Sequence, residues 1–363
     1  MEDMVNMWKG RRVFLTGHTG FKGGWLALWL AKMGATVRGY ALDPYAPTDL
    51  FFAAGVADVV DDVRGDIRDH DKLTEAMTSF APEVVFHLAA QPLVRSSYAD
   101  PLGTYSINVL GTAHLLEAVR KTPTVRAVVC ITTDKCYENK EWVWPYRETD
   151  PLGGYDPYSS SKACAEIVCA AYRSSFFPIA SLAQHGVALA TARAGNVIGG
   201  GDWSVDRLIP DLVRGFLSKK PVAIRYPKSI RPWQHVLEPL HGYILLAEQL
   251  FARNKHAASA FNFGPNEEDA WPVDRIATRM AEAWGGDAKW VLDAEASVHE
   301  AAYLKLDASK ARTELHWQSR LRLESALEWL VAWYRAWESG EAMREFTLSQ
   351  IGDYEALVNA DCV

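Results

Sequence analysis

The stretch Arg12-Val13-Phe14-Leu15-Thr16-Gly17-His18-Thr19-Gly20-Phe21-Lys22-Gly23 decides the fold. Its first four residues read as a short apolar strand. The glycines follow at once, and Gly24–Met33 then carries Leu, Trp and Ala at helical spacing. A strand that turns through glycines into a helix meets three demands of a dinucleotide pyrophosphate. These are a tight turn, close approach to the backbone, and free amides at a helix N-terminus. The glycines at 17, 20 and 23 are spaced Gly-x-x-Gly-x-x-Gly, and the last lets helix and sheet pack closely.

Outward from this turn the chain alternates. Strands are expected at Ala35–Leu42, Ala57–Val63, Val84–Leu88, Val125–Thr132 and Gly186–Ala194, with helices at Asp71–Ser79, Asn108–Val119 and Tyr158–Phe176. Val84–Leu88 is nearly all apolar, as expected of a parallel strand covered on both faces. Asn139–Gly154 is polar, carries Pro145 and Pro151, and reads as loop. The alternation predicts an α/β fold with an N-terminal doubly wound parallel sheet of the Rossmann type, its ligand at the strand C-termini. Beyond Gly199 the rhythm loosens into helices at Val205–Leu217, His235–Phe251, Val273–Ala283 and Arg322–Ala336, with a strand at Ala260–Phe263. The expected organisation is a cofactor lobe over 1–196, to which a segment around 232–263 returns, and a smaller mixed α/β substrate lobe over most of 197–363.

The totals agree with an enzyme of two lobes. A chain of 363 residues exceeds the roughly 250–300 at which single cores stop growing. Hydrophobic residues make up 49% and the formal charge is −7, which gives no reason to expect a nucleic-acid partner. Five scattered cysteines form neither a disulfide framework nor a metal ladder, and the histidines show no paired ligand spacing. The charged start and short Val13-Phe14-Leu15 do not read as a secretion signal, and no stretch reaches the roughly 18 apolar residues of a membrane span.

Chemistry enters with two groups. Tyr158 and Lys162 stand four apart on one helix face, where an ammonium would favour the phenolate. Thr132-Thr133-Asp134-Lys135 ends a strand of the same sheet. There Thr133 offers a hydroxyl to a substrate oxygen, and Asp134 and Lys135 supply two ionisable groups. The usual acid that ends the second strand and holds the adenosine ribose is not evident. Asp43 comes late and Arg38 lies nearby, so the residues leave NAD and NADP both open. Asp66 is placed to accept from an adenine amine or to cap a helix.

These motifs, with His87-Leu88-Ala89-Ala90-Gln91 and Asn196, resemble the extended short-chain dehydrogenase/reductase family over almost the whole chain. Thr16–Gly23, Thr132-Thr133-Asp134-Lys135-Cys136-Tyr137, Ala194–Trp203 and Arg231-Pro232-Trp233-Gln234-His235-Val236 look like its sugar-nucleotide 4,6-dehydratases, in the branch acting on CDP-glucose. Lys135 stands where the TDP-glucose enzymes usually carry glutamate. The resemblance implies NAD, held by Gly17, His18, Thr19, Gly20, Phe21, Lys22, Gly23, Asp66, Ile67, Leu88, Ala89, Ala90, Tyr158 and Lys162. It implies Thr133, Asp134, Lys135, Tyr158 and Lys162 as catalytic residues, and Gln91, Thr133, Asn196, Arg207 and Arg231 as contacts to the sugar nucleotide.

The implied reaction oxidises C4 of CDP-glucose with Tyr158 as base. It then removes the C5 proton by Lys135, or by a base that Lys135 orients, and the C6 hydroxyl with help from Asp134, and returns hydride to C6. No metal is expected. The resemblance also implies a homodimer or tetramer, a cytoplasmic location, and deoxysugar synthesis for bacterial surface polysaccharide. A dehydratase on another nucleotide and a sugar-nucleotide 4-epimerase are the competing enzymes, and Asp134-Lys135 separates the latter because an epimerase expels no water. A cofactor-binding protein without turnover would need a damaged constellation, whereas Thr133, Tyr158 and Lys162 are intact.

Overall fold

The computed structural model describes residues 7–293 and 303–360; residues 1–6 of the charged start lie outside them. Its central sheet is built from β1 (Arg12–Thr16), β2 (Thr36–Ala41), β3 (Asp61–Arg64), β4 (Val84–His87), β5 (Ala127–Ile131), β6 (Ala188–Ala194) and β10 (Ala260–Phe263). All pairings are parallel, in the order β10-β6-β5-β4-β1-β2-β3. Strand order therefore reverses between β1 and β4, which opens the crevice where doubly wound sheets bind ligands. Two small parallel pairs lie outside this sheet. β7 (Asn196–Ile198) pairs with β9 (Trp233–His235), and β8 (Val222–Ile224) pairs with β11 (Trp290–Leu292).

Helices cover both faces. On one side α2 (His70–Phe80), α3 (Gly111–Arg120) and α4 (Pro157–Ser175) bury Leu73, Met77, Leu115, Val119 and Cys169. On the other, α1 (Phe21–Lys32) and α6 (Leu237–Phe251) bury Trp25, Trp29, Leu240 and Ile244. Successive residues of β1 divide between these cores, Phe14 to the first and Val13 and Leu15 to the second, as a period of two requires. α5 (Leu208–Leu217), α7 (Val273–Trp284), α8 (Leu323–Glu338) and α9 (Met343–Ala360) are the remaining long helices. α9 returns to α1, where Trp29 Nε1 donates to Glu355 at 2.8 Å.

Several elements depart from the sequence expectation. α1 begins at Phe21, so the last residues of the glycine turn already form its first turn. The helix expected over Asn108–Val119 is replaced by Pro101–Tyr105, a wider π-turn over Ser106–Leu110, and α3. Asn108 turns inward there, donating to Ser161 Oγ at 2.8 Å and to the Gln91 carbonyl at 3.1 Å, and the π-turn accommodates that side chain. α5 starts at Leu208 because Asp206 is left-handed, with φ +59°. His235 closes β9 instead of opening a helix.

Candidate active site

The glycine turn forms a cradle in which Gly17 and Gly23 admit no side chain. Gly17 has φ +79°, and a Cβ there would lie 2.8 Å from the Ala89 nitrogen. A Cβ on Gly23 would lie 2.1 Å from the Gly17 carbonyl oxygen, whereas Gly20 meets nothing closer than 3.5 Å. No side chain caps the start of α1, so its first amides remain for an anion. Leu88 and Ala89 pass beneath, each donating its N–H to Thr16 Oγ1 at 3.1 Å. A pyrophosphate fits such a surface of bare backbone.

Side chains around the cradle are already engaged. His18 is buried, its Nε2 2.8 Å from Asp62 Oδ1 and its ring so close to Gly39 that a Cβ there would lie 2.3 Å away. A ligand would meet its backbone, not its ring. Thr19 Oγ1 donates to the Leu42 carbonyl at 3.0 Å. Arg38 turns to Asp61 and the Ala76 carbonyl. Arg68 forks onto both oxygens of Asp66 and holds that carboxyl below its ordinary range. Ile67 is buried against Gly111. Gln91 spends its amide on Thr104 at 2.9 Å and on the backbone of Leu93.

The catalytic candidates converge at the C-terminal ends of β5 and β6. Asp156 caps α4 by accepting from Ser159 N at 2.9 Å, and the helix carries Tyr158 and Lys162 inward, 8% and 7% exposed. Thr133 links the two groups found in the sequence. It stands beside Tyr158, where it favours the phenolate, and donates to Asp134 Oδ1 at 3.0 Å, while its Oγ1 accepts from Lys135 N at 3.3 Å.

Asp134 is 1% exposed, and burial raises its carboxyl above the usual range against the pull of Lys135, Thr133 and Arg231. Its Oδ2 has no hydrogen-bond partner among the described residues, and a Cβ on Gly195 would lie 3.1 Å from it. The Lys162 ammonium departs from expectation: it donates to the Ile131 carbonyl at 3.2 Å, and burial lowers its pKa to about 8. Tyr158 is pushed up to about 12, burial outweighing the pull of Thr133 and the nearby Arg207.

The remaining candidates approach from the second lobe. Asn196 opens β7 beside Trp233 of β9. Arg231 is nearly buried and close enough to lower the Asp134 carboxyl. Arg207 precedes α5, is anchored by Asp202 at 3.0 Å, and makes its charge felt at both Tyr158 and Lys22. Two features escape sequence reasoning. Lys22 reaches past the cradle to donate to Tyr243 OH at 3.1 Å, and burial together with Lys162 lowers its pKa to about 7. Tyr243 adjoins Tyr158 from within an apolar helix, α6, where nothing in the sequence marks it. Among the described residues no group of His, Cys, Asp and Glu is arranged to hold a metal, and no helix is long and apolar enough to cross a membrane.

Turn, Tyr–Lys helix and threonine-led loop together define a nucleotide-sugar enzyme of the extended short-chain dehydrogenase/reductase type. Residues 14–329 match the family model described as GDP-mannose 4,6 dehydratase, and the chain belongs to that family. Among individual relatives, a CDP-glucose 4,6-dehydratase of Salmonella typhimurium is 55% identical over 349 residues, covering 96% of this chain and 97% of its own. In three dimensions, epimerase Mth375 of Methanothermobacter thermautotrophicus superposes with a TM-score of 0.79 at 22% identity, covering 93% of this chain and 96% of its own. The dTDP-glucose 4,6-dehydratase of Bacillus anthracis, solved with NAD, gives 0.72 at 22%, covering 90% and 97%. These two likenesses establish the fold.

Proposed function

We propose that the protein converts CDP-glucose to CDP-4-keto-6-deoxyglucose and water, with NAD oxidised again at the end of each cycle. One observation carries this beyond membership of the family: Thr133 stands beside the Tyr158 phenol and donates to the buried Asp134, whose carboxyl burial raises, with Lys135 next in the chain. An oxidising base and an acid for a leaving hydroxyl thus share one centre.

The backbone of Gly17–Gly23 holds the cofactor pyrophosphate, Asp66 and Ile67 border the adenine, and Leu88–Ala90 with Tyr158 and Lys162 hold the nicotinamide end. When bound, NAD would supply the hydride acceptor for C4 and the hydride returned at C6. Tyr158, in its phenolate form, takes the C4 hydroxyl proton. The resulting ketone acidifies C5, and Lys135, in its neutral form, removes that proton. Asp134 gives its proton to the C6 hydroxyl, which leaves as water, and Lys135 returns its own to C5. The balance leaves Tyr158 with one proton gained and Asp134 with one lost. The Thr133 hydroxyl, which donates to Asp134 and stands beside Tyr158, passes that proton back.

Asn196, Arg207 and Arg231 take the diphosphate and nucleotide, as charge-assisted donors suit. Gln91 contributes to the sugar site by exchanging a bond to Thr104 or Leu93. The division of labour is that of a cofactor lobe over 1–196 and 232–263 and a substrate lobe over the rest. The protein acts in the cytoplasm as a homodimer. Exposed Leu102, Tyr105, Leu110 and Ile167 on the α3 and α4 side supply its apolar face. The product is a precursor of surface deoxysugars.

The test is incubation with CDP-, TDP-, UDP- and GDP-glucose and catalytic NAD, read by product mass. Loss of one water from CDP-glucose alone, without net reduced cofactor, is expected. Loss of water from another nucleotide instead would replace the substrate, and unchanged mass with inversion at C4 would make the protein an epimerase.

A further inference from the structure

The proposed reaction draws on two segments of different origin. Tyr158 and Lys162 ride on α4 and serve the oxidation, while Asp134 and Lys135 sit on the turn after β5 and serve the elimination. A buried ion pair joins them. Glu166 lies one turn beyond Lys162, so residues 158, 162 and 166 share a helix face. Its Oε1 accepts from the Thr132 hydroxyl, and its Oε2 accepts from Thr191 Oγ1 and Arg193 Nη2, both at 2.8 Å. Arg193, next to the end of β6, donates through Nη1 to Tyr137 OH at 2.7 Å, and that hydroxyl donates to Asn262 Oδ1 at 2.7 Å. Thr132, Tyr137, Glu166, Thr191, Arg193 and Asn262 are all buried.

Thr132 immediately precedes Thr133, and Tyr137 follows Lys135 by two residues. Both flanks of the turn are therefore tied to one carboxylate–guanidinium pair, and that carboxylate belongs to the helix of the Tyr–Lys pair. Two desolvated charges are a costly way to join a helix to a sheet, and an apolar pair of similar volume does so as well or better. What the charges add is direction, since each hydrogen bond fixes an orientation as well as a distance.

We propose that Glu166, Arg193 and Tyr137 form a positioning network that holds the Asp134-Lys135 turn in register with Tyr158 and Lys162. The sugar oxidised by one segment is then met at C5 and C6 by the other. This rests on the dehydratase reading given above. None of the three touches substrate; they act through Thr132, Thr133 and the backbone of the turn.

The network is cut on each flank by a conservative change, Tyr137→Phe on one side and Thr132→Val on the other, neither of which leaves a charge unpaired. Each full-length variant is mixed with NAD and CDP-glucose. Reduced nicotinamide is followed by absorbance, and quenched samples are weighed by mass spectrometry. Displacement of the turn slows water loss by roughly 10–100-fold while oxidation continues. Enzyme-bound reduced cofactor then stands above the wild-type level. A sugar nucleotide lighter by one pair of hydrogens accumulates, with KM little changed. A merely structural role lowers the thermal midpoint and the active fraction without altering this partition. Normal turnover in both variants, or slower turnover without accumulated keto sugar, overturns the proposal. If one variant fails to fold, the other decides. Wild-type enzyme that removes no water from CDP-glucose would refute the dehydratase reading as well.

Discussion

Glu238 lies at the start of α6, directly after the strand that follows Arg231, and is 0% exposed. Its Oε1 accepts from the N–H groups of Arg320 and Leu321 at 2.8 and 2.6 Å, and its Oε2 accepts from Tyr354 OH at 2.9 Å. These bonds do not offset burial, and the carboxyl is pushed up to about 7 from 4.5. Between those values the folded protein keeps a proton that the unfolded chain has lost, so stability falls as pH rises through the window and levels off above it. The ionised carboxylate thus costs the folded state about 3 kcal/mol at pH 8, at about 1.4 kcal/mol per pH unit. Glu238→Gln keeps shape and acceptor but cannot ionise, and Tyr354 can turn its hydroxyl to accept. The variant is expected to match wild type near pH 4.5 and to be more stable by up to about 3 kcal/mol at pH 8. In a chain of this length that is about 4 °C. Thermal midpoints of both proteins measured across this range give the difference curve, which cancels the titration of every other group. An equal gain at both ends, or none at pH 8, would refute the reasoning.

Other outcomes test the site and assembly. Asp134→Asn keeps the volume but removes the acid, so water loss should fall by about 10²–10⁴-fold while reduced cofactor still forms on adding CDP-glucose. Tyr158→Phe should abolish the appearance of reduced cofactor altogether, with CDP-glucose affinity by calorimetry preserved. Gly23→Ala drives a methyl to within 2.1 Å of the Gly17 carbonyl, and cofactor titration should show binding lost even where circular dichroism remains native. Leu110→Glu, on the exposed apolar face, should shift the particle mass in light scattering toward that of the monomer.

What the sequence made legible followed from strong local constraints. The glycine turn is visible because two of its positions, Gly17 and Gly23, admit no side chain, and β4 and β5 because strands covered on both faces are almost wholly apolar. The Tyr158–Lys162 spacing placed both residues on the inner face of α4, but it did not foretell that the lysine would turn to Ile131. Orientation of a long side chain depends on which carbonyl the next strand offers, and no local pattern records that. α9 stayed hidden because its buried face mixes Thr347 and Gln350 with Met343, Ile351 and Tyr354, which dilutes the apolar stripe. Arg38 could have served a second phosphate by sequence alone; Asp61, its partner in register across β2 and β3, occupies it instead.

The return of α9 to α1 has a consequence for how the molecule is made. Trp29 and Lys32 on α1 find their partner in Glu355, and Arg344 donates to the carbonyl groups of Ala54 and Gly55. During translation the glycine turn and its helix emerge first, with an indole-rich face bare to solvent. Gly200 and His235, which meet Trp25, and His241, which stacks on Trp29, follow about two hundred codons later, and the α9 residues that close the face more than three hundred. Throughout that interval the nascent chain presents a surface that chaperones recognise, and a ribosome that stalls before residue 343 leaves one face of the helix beneath the cofactor turn uncovered.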